Sequence, residues 1–324
     1  MDLRMTSMKR ITMSVPVYNE STNLELLYLK LDEVFSKISG YEWKLLCVND
    51  GSADDSWEVI TRLSENDSRV SGLCLSRNFG KELALTAGVE SIGKDIDAVI
   101  CIDADLQHPP DIIPEFIREW EKGADIVVGI REKISDYSFT KKIGSRIFYA
   151  IMTRFSDIDI PPNSTDFRLL DKTVIQSLCR FSERTRMFRG LIDWMGFKKT
   201  FLHFTAPDRM NGNATYSFKK LFELAINSIT SFSLLPLRLT GYLGLSVCLL
   251  TGLLLVYMLI TDFFFAQIYT PLAYFVVFNT MLVGIVLSAI GMLALYIGHI
   301  YTEVVGRPLY IIQKCVGEIS VIDT

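Results

Sequence analysis

The stretch AVICIDADLQHPPD, residues 98–111, decides the fold of the first half of this chain. An apolar run of the kind that forms a buried strand ends in two aspartates, Asp103 and Asp105, and two prolines follow. Two carboxylates at the end of a buried strand are costly unless a positively charged partner meets them. The stretch therefore predicts a core strand whose carboxyl end carries a polar site.

The same change from apolar run to polar end recurs through the first 130 residues. Strand-like runs lie at 11–17, 44–49, 70–75, 97–102 and 125–130, with helical patterns between them at 21–38, 54–65, 80–92 and 111–122. This alternation predicts an α/β fold with a mostly parallel sheet and helices on both faces. Ligands of such sheets bind beyond the carboxyl ends of the strands. Four strand ends are polar, at PVYNE, NDGSADD, DADLQ and GIR, and we expect them to form one site.

Asp103 and Asp105 are candidate ligands of a divalent cation. Residues i and i+2 of an extended chain point to the same side, so both carboxylates can face one ion, with Gln107 within reach. Hard oxygen ligands of this kind suit Mg²⁺ or Mn²⁺, which would also bridge to a diphosphate. An isolated DxD motif is more often a solvated turn, and its position after a buried strand is what favours the metal. His108 is interpreted as a loop residue rather than a ligand.

The second half of the chain predicts a membrane anchor. Residues 239–261 contain no Asp, Glu, Lys or Arg, and a second uncharged stretch follows Asp262 and runs to residue 302. Each is long enough to cross a bilayer as a helix. We predict two transmembrane helices, 238–261 and 272–299, in a hairpin that spans 238–302. The alternative is a buried helical hairpin in a soluble core.

The distribution of charge predicts the topology. Lys219, Lys220 and Arg238 precede the first span, Arg307 and Lys314 follow the second, and the connecting loop has neither Lys nor Arg. The positive-inside rule therefore places both termini in the cytoplasm, in a multi-pass protein of the cytoplasmic membrane. The first residues lead into a strand rather than a secretory leader. The net charge of −4 argues against a general nucleic-acid binder, and the six cysteines lack the spacing of a zinc site.

Two further segments are basic and apolar at helical spacing. Residues 139–156 predict an interfacial amphipathic helix at an anionic membrane surface, and packing on the sheet is the alternative. Residues 217–237 predict a juxtamembrane helix. The predicted organisation is thus an α/β domain over 1–216, this juxtamembrane helix, the hairpin over 238–302 and a cytoplasmic tail over 303–324.

Seven motifs together carry a resemblance to a known family. In chain order they are PVYNE (16–20), NDGSADDS (49–56), RNFGKELALTAG (77–88), DADLQHPPD (103–111), DFRLL (166–170), ERTRMFRGLIDWMGF (183–197) and SITSFSLLPLR (228–238). The set resembles the bacterial polyprenyl-phosphate glycosyltransferases of family 2, of the bactoprenol glucosyl transferase type, which are related to dolichol-phosphate mannose synthase. The resemblance covers nearly the whole chain. It implies a Rossmann-like GT-A catalytic domain, followed by interfacial helices and two transmembrane helices.

The resemblance also implies a reaction. A hexose passes from a nucleotide-diphospho sugar to a polyprenyl phosphate at the cytoplasmic membrane face, with inversion of the anomeric centre and a Mg²⁺ or Mn²⁺ cofactor. We predict UDP-glucose and undecaprenyl phosphate as substrates, with UDP-GlcNAc as the competing donor. A downstream flippase and glycosyltransferase are the implied partners, and the short anchor leaves room for a homo-oligomer.

Site residues follow by motif from the same resemblance. The residues implied for the nucleotide sugar are Pro16, Tyr18, Glu20, Val48, Asp50, Asp103, Ala104, Gln107, Arg131 and Arg209. Those implied for the metal are Asp103, Asp105 and Gln107, those for the acceptor phosphate are Arg184, Arg186 and Arg189, and Asp105 and Asp166 are the implied catalytic residues. For Glu20 the alternative is an acidic residue at the start of a helix, and for Arg131 it is a surface ion pair. For the three acceptor arginines the alternative is a solvated basic helix face.

Asp166 is the family's usual candidate for a general base. A phosphate monoester has its second pKa near 6 and is largely ionised at pH 7. Asp166 is therefore also a candidate for orienting the acceptor, binding a sugar hydroxyl or balancing Arg168.

One departure from the family pattern concerns a cation. Ala214 and Thr215 precede Tyr216 where relatives carry a Ser/Thr-Lys pair, so a lysine expected near the diphosphate is missing. Lys219 and Lys220 are the candidate replacements.

Two other functional classes remain as alternatives. A processive polysaccharide synthase would add a QxxRW motif and more spans, and the sequence has neither. A non-catalytic scaffold or a lipid-linked sugar flippase is disfavoured by the intact DxD motif.

Overall fold

A computed structural model describes residues 8–93, 95–132, 164–181, 183, 186–205, 235–265 and 269–319. These residues belong to two compact units. An α/β unit contains the described residues up to 205 and those from 308 onward, and a helical unit contains 235–265 and 269–307. The predicted helix 139–156 and most of the predicted helix 217–237 lie outside the described residues.

The α/β unit follows the predicted alternation. Its strands are β1 (Lys9–Val17), β2 (Tyr41–Asn49), β3 (Val70–Leu75), β4 (Ala98–Cys101), β5 (Ile126–Arg131), β6 (Ser164–Asp171), β7 (Lys199–Phe204) and β8 (Ile312–Val316). Its helices are α1 (Ser21–Ser36), α2 (Ser56–Asn66), α3 (Lys81–Glu90), α4 (Ile113–Glu121), α5 (Lys172–Leu178) and α6 (Phe188–Trp194). The five predicted strands and four predicted helices are confirmed, with ends that shift by a few residues.

These strands form one sheet in the order β7-β5-β6-β4-β1-β2-β3-β8. Six strands run in the same direction, and β6 and β8 run opposite to them. The prediction of a mostly parallel sheet is therefore confirmed. Neither antiparallel strand was predicted, and β8 lies within the segment that the sequence suggested was only a tail.

Helices pack on both faces of the sheet because the residues of β1 are buried on both sides. Ile11, Met13 and Val15 belong to one apolar core with α1 and α4. On the other face α3 lies very close to β1 and β2 at Gly88, where an added Cβ would stand 2.2 Å from the Ser14 Oγ atom. Glycine at this point is what lets α3 pack directly against β1 and β2.

The helical unit consists of α7 (Leu235–Phe265) and α8 (Pro271–Val305), which pack against each other. Asp262 links the end of α7 to the start of α8, because its carboxylate accepts the backbone N–H of Tyr269 and the hydroxyl of Tyr274, both at 2.9 Å. Pro271 and the Thr270 cap begin α8, and Gly306 ends it at φ 67°.

The positions of α7 and α8 correspond to the two helices of the predicted transmembrane hairpin. In the described part of the chain, one stretch, Pro271–Ile290, is long and apolar enough to cross a membrane. The apolar stretch found in α7, Leu249–Phe265, is shorter than a span. The helices themselves are thus present, and their crossing of a membrane stays a prediction.

Candidate active site

The start of β6 lies at the carboxyl edge of the sheet because β6 runs antiparallel to its neighbours. Cys101, the last residue of β4, pairs with Arg168, so the chain beyond β4 runs past the first residues of β6. Asp103 follows β4 and Asp166 lies near the start of β6, and this topology brings them together. Ala104 and Asp105 lie in a turn rather than in an extended chain, and Leu106 after them has φ 58°.

Lys81 joins these two aspartates. Its ammonium nitrogen lies 2.7 and 2.8 Å from the two carboxylate oxygens of Asp103 and 2.7 Å from Oδ2 of Asp166. Burial alone would lower the pKa of Lys81, but the two carboxylates outweigh burial and raise it above its ordinary value. The lysine is therefore a permanent cation between two strand ends.

Asp166 has a second cationic partner, Arg189 of α6, whose Nε lies 3.0 Å from its Oδ1. Only 5% of Asp166 is exposed. Burial would raise the pKa of this carboxyl, but Arg189 and Lys81 outweigh burial and hold the pKa far below its ordinary value. Arg168 pairs instead with Asp193 at 3.4 Å. Asp166 therefore balances Lys81 and Arg189 rather than Arg168, and its roles toward the acceptor or a sugar hydroxyl stay predictions.

Asp50 sets the position of Lys81. Its two carboxylate oxygens accept the backbone N–H groups of Phe79 and Gly80, at 2.7 and 2.9 Å, immediately before α3 begins at Lys81. These contacts are structural, and the role of Asp50 toward a base or ribose stays a prediction. A cation in the first turn opposes the helix dipole, and this local conflict is the signal that could have revealed Lys81 from the sequence.

A second polar group joins the loop after β4 to the end of β5. An Nη atom of Arg131 donates to the amide oxygen of Gln107 at 2.9 Å, which confirms that these two predicted residues lie together. The Nε atom of Arg131 is buried and has no hydrogen-bond partner among the described residues. A buried guanidinium N–H without a partner fits an anionic ligand such as a phosphate oxygen.

The predicted metal ligands are not equally placed to hold an ion. Both oxygens of Asp103 contact Lys81, and the amide oxygen of Gln107 accepts from Arg131. Asp105 is partly exposed, and its Oδ1 accepts the backbone N–H of Gln107 at 3.1 Å. Within the described ranges no three His, Cys, Asp or Glu side chains gather to form a metal site. One carboxylate with the phosphate oxygens of a substrate is nevertheless a set that Mg²⁺ accepts, so the residues fit a metal that binds together with a diphosphate.

The remaining predicted nucleotide residues differ in exposure. Tyr18 is 39% exposed at the end of β1, and Glu20 accepts from the Asn23 amide at 2.6 Å at the start of α1. Pro16 is partly buried in β1. The side chains of Val48 and Ala104 are 0% and 2% exposed, so contact with a nucleotide would have to be made by their backbone.

The three predicted acceptor arginines separate. Arg189 lies at Asp166, whereas the side chain of Arg186, which is 3% exposed, donates to Glu90 at 2.6 Å and to the carbonyl oxygens of Phe181 and Glu183. These contacts join Arg186 to α3 and to the chain before α6, and its role toward the acceptor stays a prediction. Arg184, Arg209 and the candidate replacements Lys219 and Lys220 lie outside the described residues.

His108 is a structural residue of the same loop. It is 2% exposed, stacks on Phe167 with ring centroids 5.0 Å apart, and accepts the backbone N–H of Asp103 on Nδ1 at 3.1 Å. Burial lowers its pKa, so the ring is neutral and helps to shape the Asp103 turn. The interpretation of His108 as a loop residue rather than a ligand agrees with these contacts.

A mostly parallel sheet with a charged cluster at its carboxyl edge is typical of α/β proteins that bind a ligand beyond the ends of their strands. Comparison with known proteins gives the family. Residues 12–179 match the model of glycosyl transferase family 2. The uncharacterised glycosyltransferase YkcC of Bacillus subtilis (strain 168) is 39% identical over 94% of this chain and 93% of its own. The bactoprenol glucosyl transferase of Shigella phage SfII is 36% identical over 94% of this chain and 98% of its own.

The chain belongs to glycosyl transferase family 2, and the protein is a glycosyltransferase. The predicted family, enzyme class and GT-A-like mixed α/β domain are thereby confirmed. Among solved structures, mannosyl-3-phosphoglycerate synthase from Rubrobacter xylanophilus is similar over 82% of this chain and 78% of its own, with a TM-score of 0.47 and 10% identity. Because that similarity is weak, the family assignment rests on the sequence matches.

Proposed function

We propose that this glycosyltransferase transfers a hexose from a nucleotide-diphospho sugar to a polyprenyl phosphate at a membrane surface, with inversion of the anomeric centre. The observation that carries the proposal is a pair of groups at one sheet edge, each of which contains a cationic side chain. Arg131 with Gln107 forms one group, and Lys81 with Arg189 forms the other around Asp166. Two phosphate-bearing substrates need two such groups. Relatives named bactoprenol glucosyl transferase support glucose and a polyprenyl acceptor.

The donor diphosphate is assigned to the Arg131 group. The planar guanidinium of Arg131 suits two phosphate oxygens at once, and its buried Nε supplies a donor that no described residue uses. Asp105 would hold a Mg²⁺ or Mn²⁺ ion together with diphosphate oxygens. When bound, that ion supplies charge stabilisation to the leaving diphosphate.

The acceptor phosphate is assigned to Arg189. A phosphate monoester is mostly ionised at pH 7 and can attack without first losing a proton. One of its oxygens forms the new bond to the anomeric carbon as the bond from that carbon to the diphosphate breaks. Asp166 keeps Arg189 and Lys81 in place and receives no proton, because its pKa lies far below neutrality.

The helical unit is assigned to the membrane. Helices of 31 and 35 residues are about 46 and 52 Å long, more than a bilayer core requires. Large apolar side chains such as Phe263, Phe275 and Leu293 are exposed along them. We propose that α7 and α8 both cross the cytoplasmic membrane and hold the α/β unit at its cytoplasmic face, where a lipid phosphate is available.

Incubation of the detergent-solubilised full chain with radiolabelled UDP-sugars, undecaprenyl phosphate and Mg²⁺ tests the proposal. We expect a butanol-extractable product from UDP-glucose, and exclusive use of UDP-GlcNAc would instead identify the competing donor. An ethanol-insoluble polymer would point to a polysaccharide synthase, and no transfer from any nucleotide sugar would refute the proposal. Arg131→Met should abolish most transfer, whereas Arg62→Met, which removes an exposed partner of Glu25, should not.

A further inference from the structure

Lys81 occupies the place where two carboxylates from different strand ends approach each other. Asp103 comes from the loop after β4 and Asp166 from β6, and each has an oxygen 2.7 Å from the same nitrogen atom. The side chain of Lys81 is 28% exposed and that of Asp103 is 21% exposed, so the cluster is open to ions from solution. Lys81 therefore stands where a dissolved cation would otherwise be attracted.

The geometry around Lys81 resembles that of a bound metal. Oxygens that share one nitrogen at 2.7 Å need to move by only about 0.5–0.7 Å to reach bonds of about 2.0–2.2 Å, as in Mg²⁺ and Mn²⁺ sites. Carboxylates held this close repel each other strongly unless a cation lies between them. An ammonium group supplies that charge without an exchangeable metal.

We propose that Lys81 is the resident counter-ion of Asp103 and Asp166, a positioning residue that links the donor and acceptor strand ends and keeps divalent cations off this carboxylate pair. The inference rests on the proposed function in one respect: the metal then enters the site with the donor diphosphate. Lys81 thus also supplies a cation near the DxD motif of a sequence that lacks the expected Ser/Thr-Lys pair.

The wild type and a variant without the lysine should differ in their affinity for Mn²⁺ in the absence of nucleotide. The wild type should bind Mn²⁺ weakly alone and more tightly with UDP. Lys81→Met should bind Mn²⁺ without UDP about tenfold or more tightly than the wild type, because a repelling charge is gone and two carboxylates are released. Lys81→Arg keeps the charge and should behave like the wild type.

Electron paramagnetic resonance of Mn²⁺ with the detergent-solubilised full chain measures this affinity with and without UDP. Thermal unfolding is the second readout: Mn²⁺ should raise the melting temperature of Lys81→Met and leave that of the wild type nearly unchanged. Lys81→Gln serves in the same way if the methionine variant folds poorly. Lys37→Met, which removes an exposed partner of Glu33, is the matched control and should bind Mn²⁺ like the wild type.

The double variant Lys81→Met, Asp103→Asn locates the gained site. Loss of the gained Mn²⁺ binding in this double variant supports the proposal, and retention of it would place the ion elsewhere and overturn the assignment. Unchanged nucleotide-free binding in both Lys81→Met and Lys81→Gln would also overturn it. The measurements of Mn²⁺ binding without UDP do not depend on the donor. If UDP failed to enhance Mn²⁺ binding by the wild type, that result would count against the proposed function alone.

Discussion

Replacement of Asp166 with asparagine tests whether the charge of this carboxylate holds the site together. Asparagine has nearly the same shape but no charge, so Lys81 at 2.7 Å and Arg189 at 3.0 Å would lose their shared anion. Removal of one partner from a buried ion pair costs about 3–5 kcal/mol. The two cations are 28% and 26% exposed and keep part of their hydration, so we expect a loss of about 2–3 kcal/mol in the free energy of unfolding.

Tryptophan fluorescence during chemical denaturation measures this loss in the detergent-solubilised full chain. The four tryptophans of the sequence, Trp43, Trp57, Trp120 and Trp194, all lie in the α/β unit, so the signal reports that unit. Transfer to the lipid phosphate should fall about 100-fold, as expected when a reacting group is misplaced by about 1 Å. The affinity for UDP, measured by calorimetry, should change little, because Asp166 is assigned to the acceptor side.

Asp171→Asn on the same strand is the control. Asp171 caps α5 through the N–H of Thr173 and accepts the indole N–H of Trp120, and asparagine caps a helix about as well as aspartate, so this change should cost less than about 1 kcal/mol and leave turnover unchanged. The depressed pKa of Asp166 adds a test by pH. The stabilisation by Asp166 is present above the pKa of an unfolded aspartate, about 3.9, and is lost only as the pH falls through the lower pKa of the folded state. Titration of Asp166 should therefore not change the free energy of unfolding between about pH 5 and 8. The reasoning would be refuted if Asp166→Asn were as stable as the wild type. It would also be refuted if the wild type lost stability between about pH 8 and 5 and this variant did not.

Three further variants test the helix packing, the donor group and the buried histidine. Gly88→Ala places a methyl group 2.2 Å from the Ser14 Oγ atom and should cost about 1–3 kcal/mol by denaturation, and a second change, Ser14→Gly, should relieve that cost. Arg131→Lys keeps the charge but loses the planar fork, so calorimetry should show UDP affinity about tenfold weaker with unchanged stability. Because burial lowers the pKa of His108, the unfolded state takes up its proton first, and stability should fall below about pH 6.5 by up to about 1.4 kcal/mol per pH unit. His108→Asn keeps an acceptor for the Asp103 N–H group and should flatten that slope in denaturation series at several pH values.

The predicted strands were found because buried parallel strands appear as continuous apolar runs. β6 was not predicted because its apolar run is interrupted by Asp166 and Arg168. Arg168 is fully buried, and its partner Asp193 is 25 residues away in α6. Nothing local shows that such a charge will be paired. β8 is an edge strand with exposed Gln313 and Lys314, and its pairing with β3 depends on a return of the chain after residue 307.

Side-chain contacts were predictable where two strands end at the same edge of the sheet and less so elsewhere. Gln107 follows β4 and Arg131 is the last residue of β5, and the two side chains meet as expected. The arginines of the ERTRMFRG motif look equivalent in sequence, yet Arg189 reaches Asp166 and Arg186 reaches Glu90. Helix α6 begins at Phe188, between these two arginines, so they extend from different local backbone structures.

The state of Asp166 decides what kind of catalysis the chain can offer. A general base works best with a pKa near the working pH, and the two cations beside Asp166 hold its pKa far from neutrality. An alcohol acceptor would need such a base, because its proton must leave before or during attack. A phosphate monoester needs none, since it is already ionised and is itself attracted to Arg189. The same ion pairs that make Asp166 a poor base therefore favour a lipid phosphate over a hydroxyl as the acceptor, and transfer to a hydroxyl acceptor in the radiolabel assay would contradict this assignment.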